Sequence, residues 1–482
     1  MSSSTLVTKT SKQPARLSVR LRLKHAFPFA LATAIWFVPV PAGLTAQAWH
    51  LFAVFLTAIV SVLLGIFPLL TSTMLAAGAV VLTNTVSATK AFAGFANPSV
   101  LLVVIAFLVA TAVVKSGLGN RISFFMVSLF GRSSLGLAYS IVLTDAAIAP
   151  AFPSNTARAG VLYPIVLAVA KGAGSQANDP HGRRLGGYLM FCGMASLAVS
   201  SALWMTATSA NPIAMQVARE FGINVSFGRW LIASSAPTLT AIFLLPRLVA
   251  RLFPPGIGAT PEAPAAARKA LQDLGPMSRE EWITAISFVL MVSGWIFADK
   301  LQMNVTSIAF AGLGLLLMSD VLTMNDIATQ GDTLATFLWL AVLFALSGQL
   351  NELGFMGYVG QRLASLMGEL SWPITYVALV SIYVAIHYMF VSQTSQVLAL
   401  LGVFLDVGIR GKVPPSLMAF SLFFASSYFS VITPQGGSQN VIFVGSGYLT
   451  QRELYRLGLL TTLFFLAIFL SVGTGWLMLV TR

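Results

Sequence analysis

"AIAPAFPSNTARAG", residues 147–160, is the stretch that decides how this chain folds. Apolar sequence surrounds it, with residues 137–152 leading in and "VLYPIVLAVA" (161–170) leading out. Pro150 and Pro153 break a helix, because proline has no amide donor and its ring clashes with the preceding turn. Ser154, Asn155 and Thr156 come next, and these are residue types that cap a new helix. The stretch reads as the tip of a re-entrant hairpin: one arm enters the membrane, stops, and another returns. Arg158 then places a permanent charge at that depth.

Composition supports a membrane setting. Of 482 residues, 57% are apolar and only 9% charged, with a mean hydropathy of +0.84. Soluble domains carry about 25% charged residues. Apolar blocks recur at 48–83, 98–114, 186–205, 333–348, 395–409 and 456–480, among others. A spanning helix needs about 20 apolar residues. Several blocks are shorter, or are interrupted by Gly, Pro, Ser and Thr. They do not alternate polar and apolar, as barrel strands must. The expected fold is an all-α polytopic membrane protein with about 11 transmembrane helices.

The net charge of +13 would suggest nucleic acid in a soluble chain. Here the basic residues lie mostly in the tail and loops, and no nucleic-acid partner is expected. Residues 1–25 hold Lys9, Lys12, Arg16, Arg20, Arg22 and Lys24 with no acid, a cytoplasmic tail by the positive-inside rule. A bacterial inner membrane is the expected location. The Ser/Thr-rich, acid-free tail also suits a transit peptide, which keeps an organelle membrane as the alternative. Cys192 is the only cysteine, so no internal disulfide forms; it reads as a small buried apolar residue. The sequence has no Walker-type loop, no His-Glu-x-x-His and no Cys/His cluster, and His25, His50, His181 and His387 are scattered. No metal, cofactor or catalytic group is expected.

The chain repeats itself. "AFLVATAVVKSGLGNRISFFMVSLFG" (106–131) aligns with "LFALSGQLNELGFMGYVGQRLASLMG" (343–368). Phe107 matches Phe344, Gly117 matches Gly354 and Gly131 matches Gly368, each 237 positions apart. Ser154 and Thr156 match Ser392 and Thr394 in "SQTSQ", 238 apart. "TATSANP" (206–212) faces "TPQGGSQN" (433–440), which pairs Thr206 with Thr433 and Asn211 with Asn440. Two halves are expected. Repeat 1 covers 26–253, with a hairpin at about 133–156, and repeat 2 covers 281–482, with a hairpin at about 371–394. The Pro/Ala-rich, charged segment 254–280 reads as the linker.

Equivalent interrupted segments in two halves point to a secondary transporter. Irregular backbone at membrane depth survives only where protein buries it or where it lines a cavity. Half-helices that stop there aim their N-terminal N–H groups at whatever lies between them, which suits an anion. An inverted pair of tips would meet near the midplane.

On these residues the chain resembles the divalent anion:sodium symporter family, in its citrate/succinate antiporter and plastid dicarboxylate translocator branch. "GRSSLGLAYSIVLTDAAIAPAFPSNTARAGVLYPI" (131–165) carries the family's Ser-Asn-Thr signature. "HYMFVSQTSQ" resembles its second copy, and "FVGSGYLTQRELYRLG" (443–458) resembles the family's stretch C-terminal to that copy. The resemblance implies a homodimeric elevator, in which a scaffold stays fixed while a transport domain carrying both hairpins slides. It implies di- and tricarboxylates as substrates. Ser154, Asn155 and Thr156 would bind one carboxylate, and Ser392, Gln393 and Thr394 the other. Thr206, Asn211, Thr433, Pro434 and Asn440 would complete the pocket; ordinary helix breaks are the plainer reading for those five.

Arg158 stands where sodium-coupled relatives read closer to Ser-Asn-Thr-Ala-Thr. A guanidinium is always charged and grips a carboxylate through two parallel bonds, so it can replace a bound cation. The competing reading pairs it with Asp145 as a structural ion pair, and both hold if Asp145 only orients it. An empty transport domain with a fixed charge crosses slowly while a loaded one moves. The expectation is therefore sodium-independent obligatory exchange. The alternative is a sodium-coupled symporter of dicarboxylates or sulfate, and the third reading is an anion channel or an integral-membrane enzyme. Exchangers of the family often carry a histidine in the second copy, where this chain has Gln396. "SQTSQ" then supplies no second cation and leaves room for a residual sodium site near the second hairpin. His387 is read as a packing residue, with substrate ligand or proton relay as its alternatives.

Overall fold

The computed structural model describes residues 19–179, 182–367, 370–390 and 392–481. Most of the basic tail, together with His181 and Gly368, lies outside the described residues. Among those described there is no strand, only one isolated bridge between Ser133 and Ala259. Eight helices are long and apolar enough to cross a membrane, among them Pro98–Ser116, Arg183–Leu203 and Gln451–Val480. That is fewer than the expected eleven. The remaining apolar helices, such as Leu69–Leu82 and Trp372–His387, are shorter than a full span.

After α1 (Val19–Trp36), the first half runs α2 (Ala46–Leu63), α3 (Leu69–Leu82), α4 (Ala88–Ala91), α5 (Pro98–Ser116) and α6 (Leu118–Phe130). It continues with α7 (Ser134–Ile148), α8 (Asn155–Gly172), α9 (Arg183–Leu203), α10 (Ala210–Glu220) and α11 (Phe227–Leu252). The segment read as a linker holds a helix of its own, α12 (Glu262–Asp273). Then come α13 (Arg279–Phe297), α14 (Val305–Met318), α15 (Met324–Ala328), α16 (Gly331–Glu352) and α17 (Phe355–Met367). After α18 (Trp372–His387), α19 (Gln393–Gln396) joins α20 (Gly402–Arg410) through a wide π turn at Val397–Leu401. Last are α21 (Pro415–Tyr428), α22 (Ser438–Val444), α23 (Gln451–Ile468) and α24 (Thr474–Val480).

The order of α2–α11 recurs in α13–α24, with α19 and α20 together in the place of α8 and α23 and α24 together in that of α11. Gly117 and Gly354, paired in sequence, both sit just past a long helix at φ +78° and +79°. That left-handed conformation favours glycine and ends a helix sharply.

α12 packs on α6. Arg121 of α6 donates to both carboxylate oxygens of Glu281, at 2.6 and 2.9 Å, and to the carbonyls of Gly275 and Pro276. The inter-half segment is thus a fastened helix rather than a free tether.

The centre of the molecule is α9, buried at every position from Leu185 to Leu203. Its Gly186, Gly187, Gly193, Ser196 and Ala198 let neighbours approach closely, as small residues do between membrane helices. α7, α8, α11 and α21 surround it. Cys192 lies on α9 with no exposed surface. Trp230 of α11 stacks on Phe423 of α21 at 5.4 Å and joins the halves. Large apolar side chains face outward, Leu82 at 85% exposure and Met318 at 78%. In water these would cost stability, whereas acyl chains accept them.

Candidate functional site

Four interruptions meet in the middle of this bundle. At the first tip, α7 ends at Ile148 and a single 3₁₀ turn covers Ala149–Ala151. Phe152 is extended, as a residue before proline tends to be. The Ser154 hydroxyl accepts from the Ala157 amide at 3.3 Å and starts α8, which runs on to Gly172, well past the expected boundary at 156. At the second tip, Ser392 does the same for α19, accepting from the Ser395 amide at 3.4 Å. The return arm there extends to Arg410 through α20, past the expected 394.

The other two interruptions separate α9 from α10 and α21 from α22. Asn211 donates its amide to the carbonyls of Ser201 (2.8 Å) and Trp204 (3.1 Å). Asn440 donates to those of Ser430 (2.6 Å) and Thr433 (2.9 Å). In each half the acceptors lie 10 and 7 residues upstream. The structural partner of Thr433 is therefore Trp204, and the pairing of Thr433 with Thr206 is corrected. The amide bonds of the two asparagines, not residue identity, set the common register of the breaks. Thr206 instead bonds the Pro150 carbonyl at 2.9 Å and ties the break to the tip. The Thr433 hydroxyl accepts from the Gly436 amide at 2.9 Å, across the turn that Pro434 opens.

A cavity of about 260 Å³ lies among these parts. Pro153, Ser154 and Asn155 wall it from the first tip, and Ser392, Gln393 and Thr394 from the second. Thr208, Ser209, Gly437, Ser438 and Gln439 come from the breaks, and Phe107, Thr336 and Trp339 from α5 and α16. Thr156, Thr206, Asn211, Thr433, Pro434 and Asn440 are not in the wall; the last five brace the breaks. Sequence reasoning missed Ser209 and Ser438, although each stands two residues before its asparagine. It had no signal for Thr336 and Trp339, which belong to an unbroken helix.

The contacts across the cavity respect the repeat. Asn155 donates to its counterpart Gln393 at 3.3 Å. The Thr394 hydroxyl bonds Ser209 at 2.9 Å, and Thr156 bonds Ser438. Each tip threonine thus reaches the break serine of the opposite half.

Among the described residues no charged side chain lines the cavity. The N-termini of α8, α10, α19 and α22 all open at its wall. Each helix start carries roughly half a positive charge, so four contribute about two. α22 begins without a side-chain cap, so a ligand's oxygens can serve its first N–H groups, whereas Thr208 already takes the first two of α10.

Arg158 sits behind the first tip, fully buried. Its Nη2 donates to Asn155 Oδ1 (2.6 Å), Ser201 Oγ (2.6 Å) and the Leu197 carbonyl (2.8 Å). Nη1 donates to Ser200 Oγ at 3.0 Å, and Ser200 donates to Asp145 Oδ2 at 2.6 Å. Nε faces Asp145 Oδ1 at 3.6 Å. The two-pronged grip on a substrate expected from sequence is absent here, because the guanidinium's prongs are taken by protein oxygens. Its reach into the site is indirect. Asn155 Oδ1 accepts from Arg158 and from Ser201 (2.6 Å), which turns the amide nitrogen towards Gln393 and the cavity.

Hydroxyls, amides and helix starts without a fixed charge form a wall that can hold an anion and release it. Residues 20–482 match the family described as sodium:sulfate symporter transmembrane region. The chain belongs to that family, the divalent anion:sodium symporters. Dicarboxylate transporter 2 of Spinacia oleracea chloroplasts is 35% identical to it over 444 residues, covering 91% of this chain and 79% of that protein. Dicarboxylate transporter 1 of Arabidopsis thaliana chloroplasts is 35% identical over 451 residues, covering 93% and 81%. The solved structure of Neisseria gonorrhoeae MtrF superposes with a TM-score of 0.57 over 96% of this chain and 95% of that one. At 17% identity or below, such neighbours speak to fold alone. This member of the symporter family is a multi-pass membrane protein.

Proposed function

We propose that this family member carries dicarboxylates across a membrane by sodium-independent obligatory exchange. One observation carries the reading: a cavity walled by both tips and both breaks, without a carboxylate among its described residues, onto which four helix starts open. Its positive potential suits a dianion, and the paired amides of Asn155 and Gln393 suit two carboxylates. The dicarboxylate names of the two plastid relatives support the substrate class. Arg158 serves as a built-in cation within a nest of oxygens from Asn155, Leu197, Ser200 and Ser201. The two halves are inverted repeats, and the hairpins and breaks move as one body against α5 and α16. The basic tail and the arginine-bearing N-terminal ends of α9 (Arg183, Arg184) and α23 (Arg452, Arg456) share the cytoplasmic face.

Sodium-coupled symport is the second reading, and one observation favours it. Asp145 offsets the charge of Arg158, so the pair leaves no net charge behind the first tip. Proteoliposomes separate the two. Labelled succinate entering only preloaded vesicles, with or without sodium, is the expected result. Sodium-driven entry into empty vesicles would overturn exchange.

A further inference from the structure

The second tip holds a buried titratable group that the exchange reading does not use. His387 ends α18 and is 1% exposed. Its Nδ1 lies 2.5 Å from Gln396 Oε1 and its Nε2 lies 2.8 Å from the Gly436 carbonyl. The Gly436 oxygen can only accept. The Gln396 amide is oriented by its own donation to the Tyr383 carbonyl at 2.9 Å, so the atom it presents to the ring is also an acceptor. A neutral imidazole has one N–H and one lone pair, and here the lone pair would point at an oxygen. Only the imidazolium, a donor at both nitrogens, satisfies both contacts.

The place matters as much as the charge. Gln396 stands 238 positions after Arg158, the interval that relates Ser154 to Ser392. His387 therefore fills, from the first arm of its hairpin, the surroundings that Arg158 fills in the other half. Arg158 has Asp145 opposite it. The titratable groups beside the His387 site are phenols already engaged: Tyr383 with Ser426 and Tyr388 with the Phe429 carbonyl. Among the described residues no carboxylate, lysine or arginine is bonded to the ring. A proton on His387 would add a charge that, unlike that of Arg158, has no carboxylate opposite it.

We propose that His387 is a proton-binding site of the second tip, whose imidazolium is the uncompensated cation that attracts a dianionic substrate. This rests on the dicarboxylate reading above. The sequence left the second tip without a cation; the structure supplies one from nine residues upstream, and a reversible one. Losing the proton removes that charge about one to two helical turns from the cavity wall, which weakens dianion binding on the order of tenfold.

Two measurements on the full-length protein test this. The first is NMR of ¹⁵N-histidine-labelled protein in micelles, with His387→Gln identifying the signal. The expected spectrum shows both ring nitrogens protonated near neutral pH, a titration to the neutral form at higher pH, and a displacement of that titration to higher pH by added succinate. The second is succinate counter-exchange in proteoliposomes from about pH 6.5 to about pH 9, where succinate remains a dianion. KM in the wild type should rise about tenfold across the range, and His387→Gln should be flat at the higher value. A neutral single tautomer throughout would overturn the proposal. So would an imidazolium whose titration leaves KM unchanged, or a variant that keeps the wild-type profile. If no exchange occurs at any pH, the transport reading fails. The succinate effect on the ring signal then decides the proton site alone.

Discussion

Replacing Asp145 by asparagine tests the central charge arrangement. The variant keeps the shape and the bond to Ser200 but leaves the Arg158 guanidinium buried without an anion. At the observed 3.6 Å, two unit charges attract by roughly 4–5 kcal/mol at an effective dielectric of about 20. Removing one partner of a buried pair costs about 3–5 kcal/mol, because the remaining charge stays desolvated. Asp145→Asn and Arg158→Gln should each destabilise by about 3 kcal/mol or more. The double variant, with two neutral amides among the same serines, should lose less than the sum, with a coupling of at least about 2 kcal/mol. Unfolding free energies in mixed micelles give the cycle, and thermal midpoints by size-exclusion fluorescence give an independent ranking. Single effects that add to within about 0.5 kcal/mol would refute the pairing.

Asn155→Ala or Gln393→Ala removes an amide from the cavity wall and should raise the succinate KM in exchange by roughly 10- to 100-fold, the worth of one bond to a charged group. An unchanged KM would take that residue out of the site. Asn211→Leu and Asn440→Leu each strand two buried carbonyls and should cost about 2–5 kcal/mol apiece. Equal losses of monodisperse protein are expected, and a much milder Asn440 variant would break the structural equivalence of the breaks. Asp326, held at about 2 by bonds from Lys115 and Thr323, lies in the short helix α15 outside the spans. Its depressed value gives a contribution present above the ordinary carboxylate range and lost as pH falls towards about 2. The gap in thermal midpoint between wild type and Asp326→Asn should therefore hold steady from about pH 6 to 8 and close only in acid.

Much of this architecture was legible because helix-breaking chemistry is local. Pro150, Pro153 and Ser154 announce a stop and a restart whatever surrounds them, and the matching Ser392 and Thr394 announce it again. Contacts made through space were less visible. Arg158 reads as a residue that reaches into the cavity until Ser200 and Ser201, more than 40 positions away, are seen to take its donors. The break loops were located correctly, but their inner register depended on amide bonds from Asn211 and Asn440 that no residue identity reveals. Thr336 and Trp339 were illegible because an intact helix presents no punctuation. His387 was noticed, yet two acceptors facing one ring is a fact of orientation.

Cys192, sealed within α9, gives the native protein a practical advantage. Water-soluble maleimides and spin labels have no wild-type thiol to react with on its exposed surface. A single reporter cysteine placed on either half will therefore be the only labelled position, without prior removal of the natural one. With one such cysteine in each half, distances between the halves during turnover are accessible in an otherwise unaltered chain.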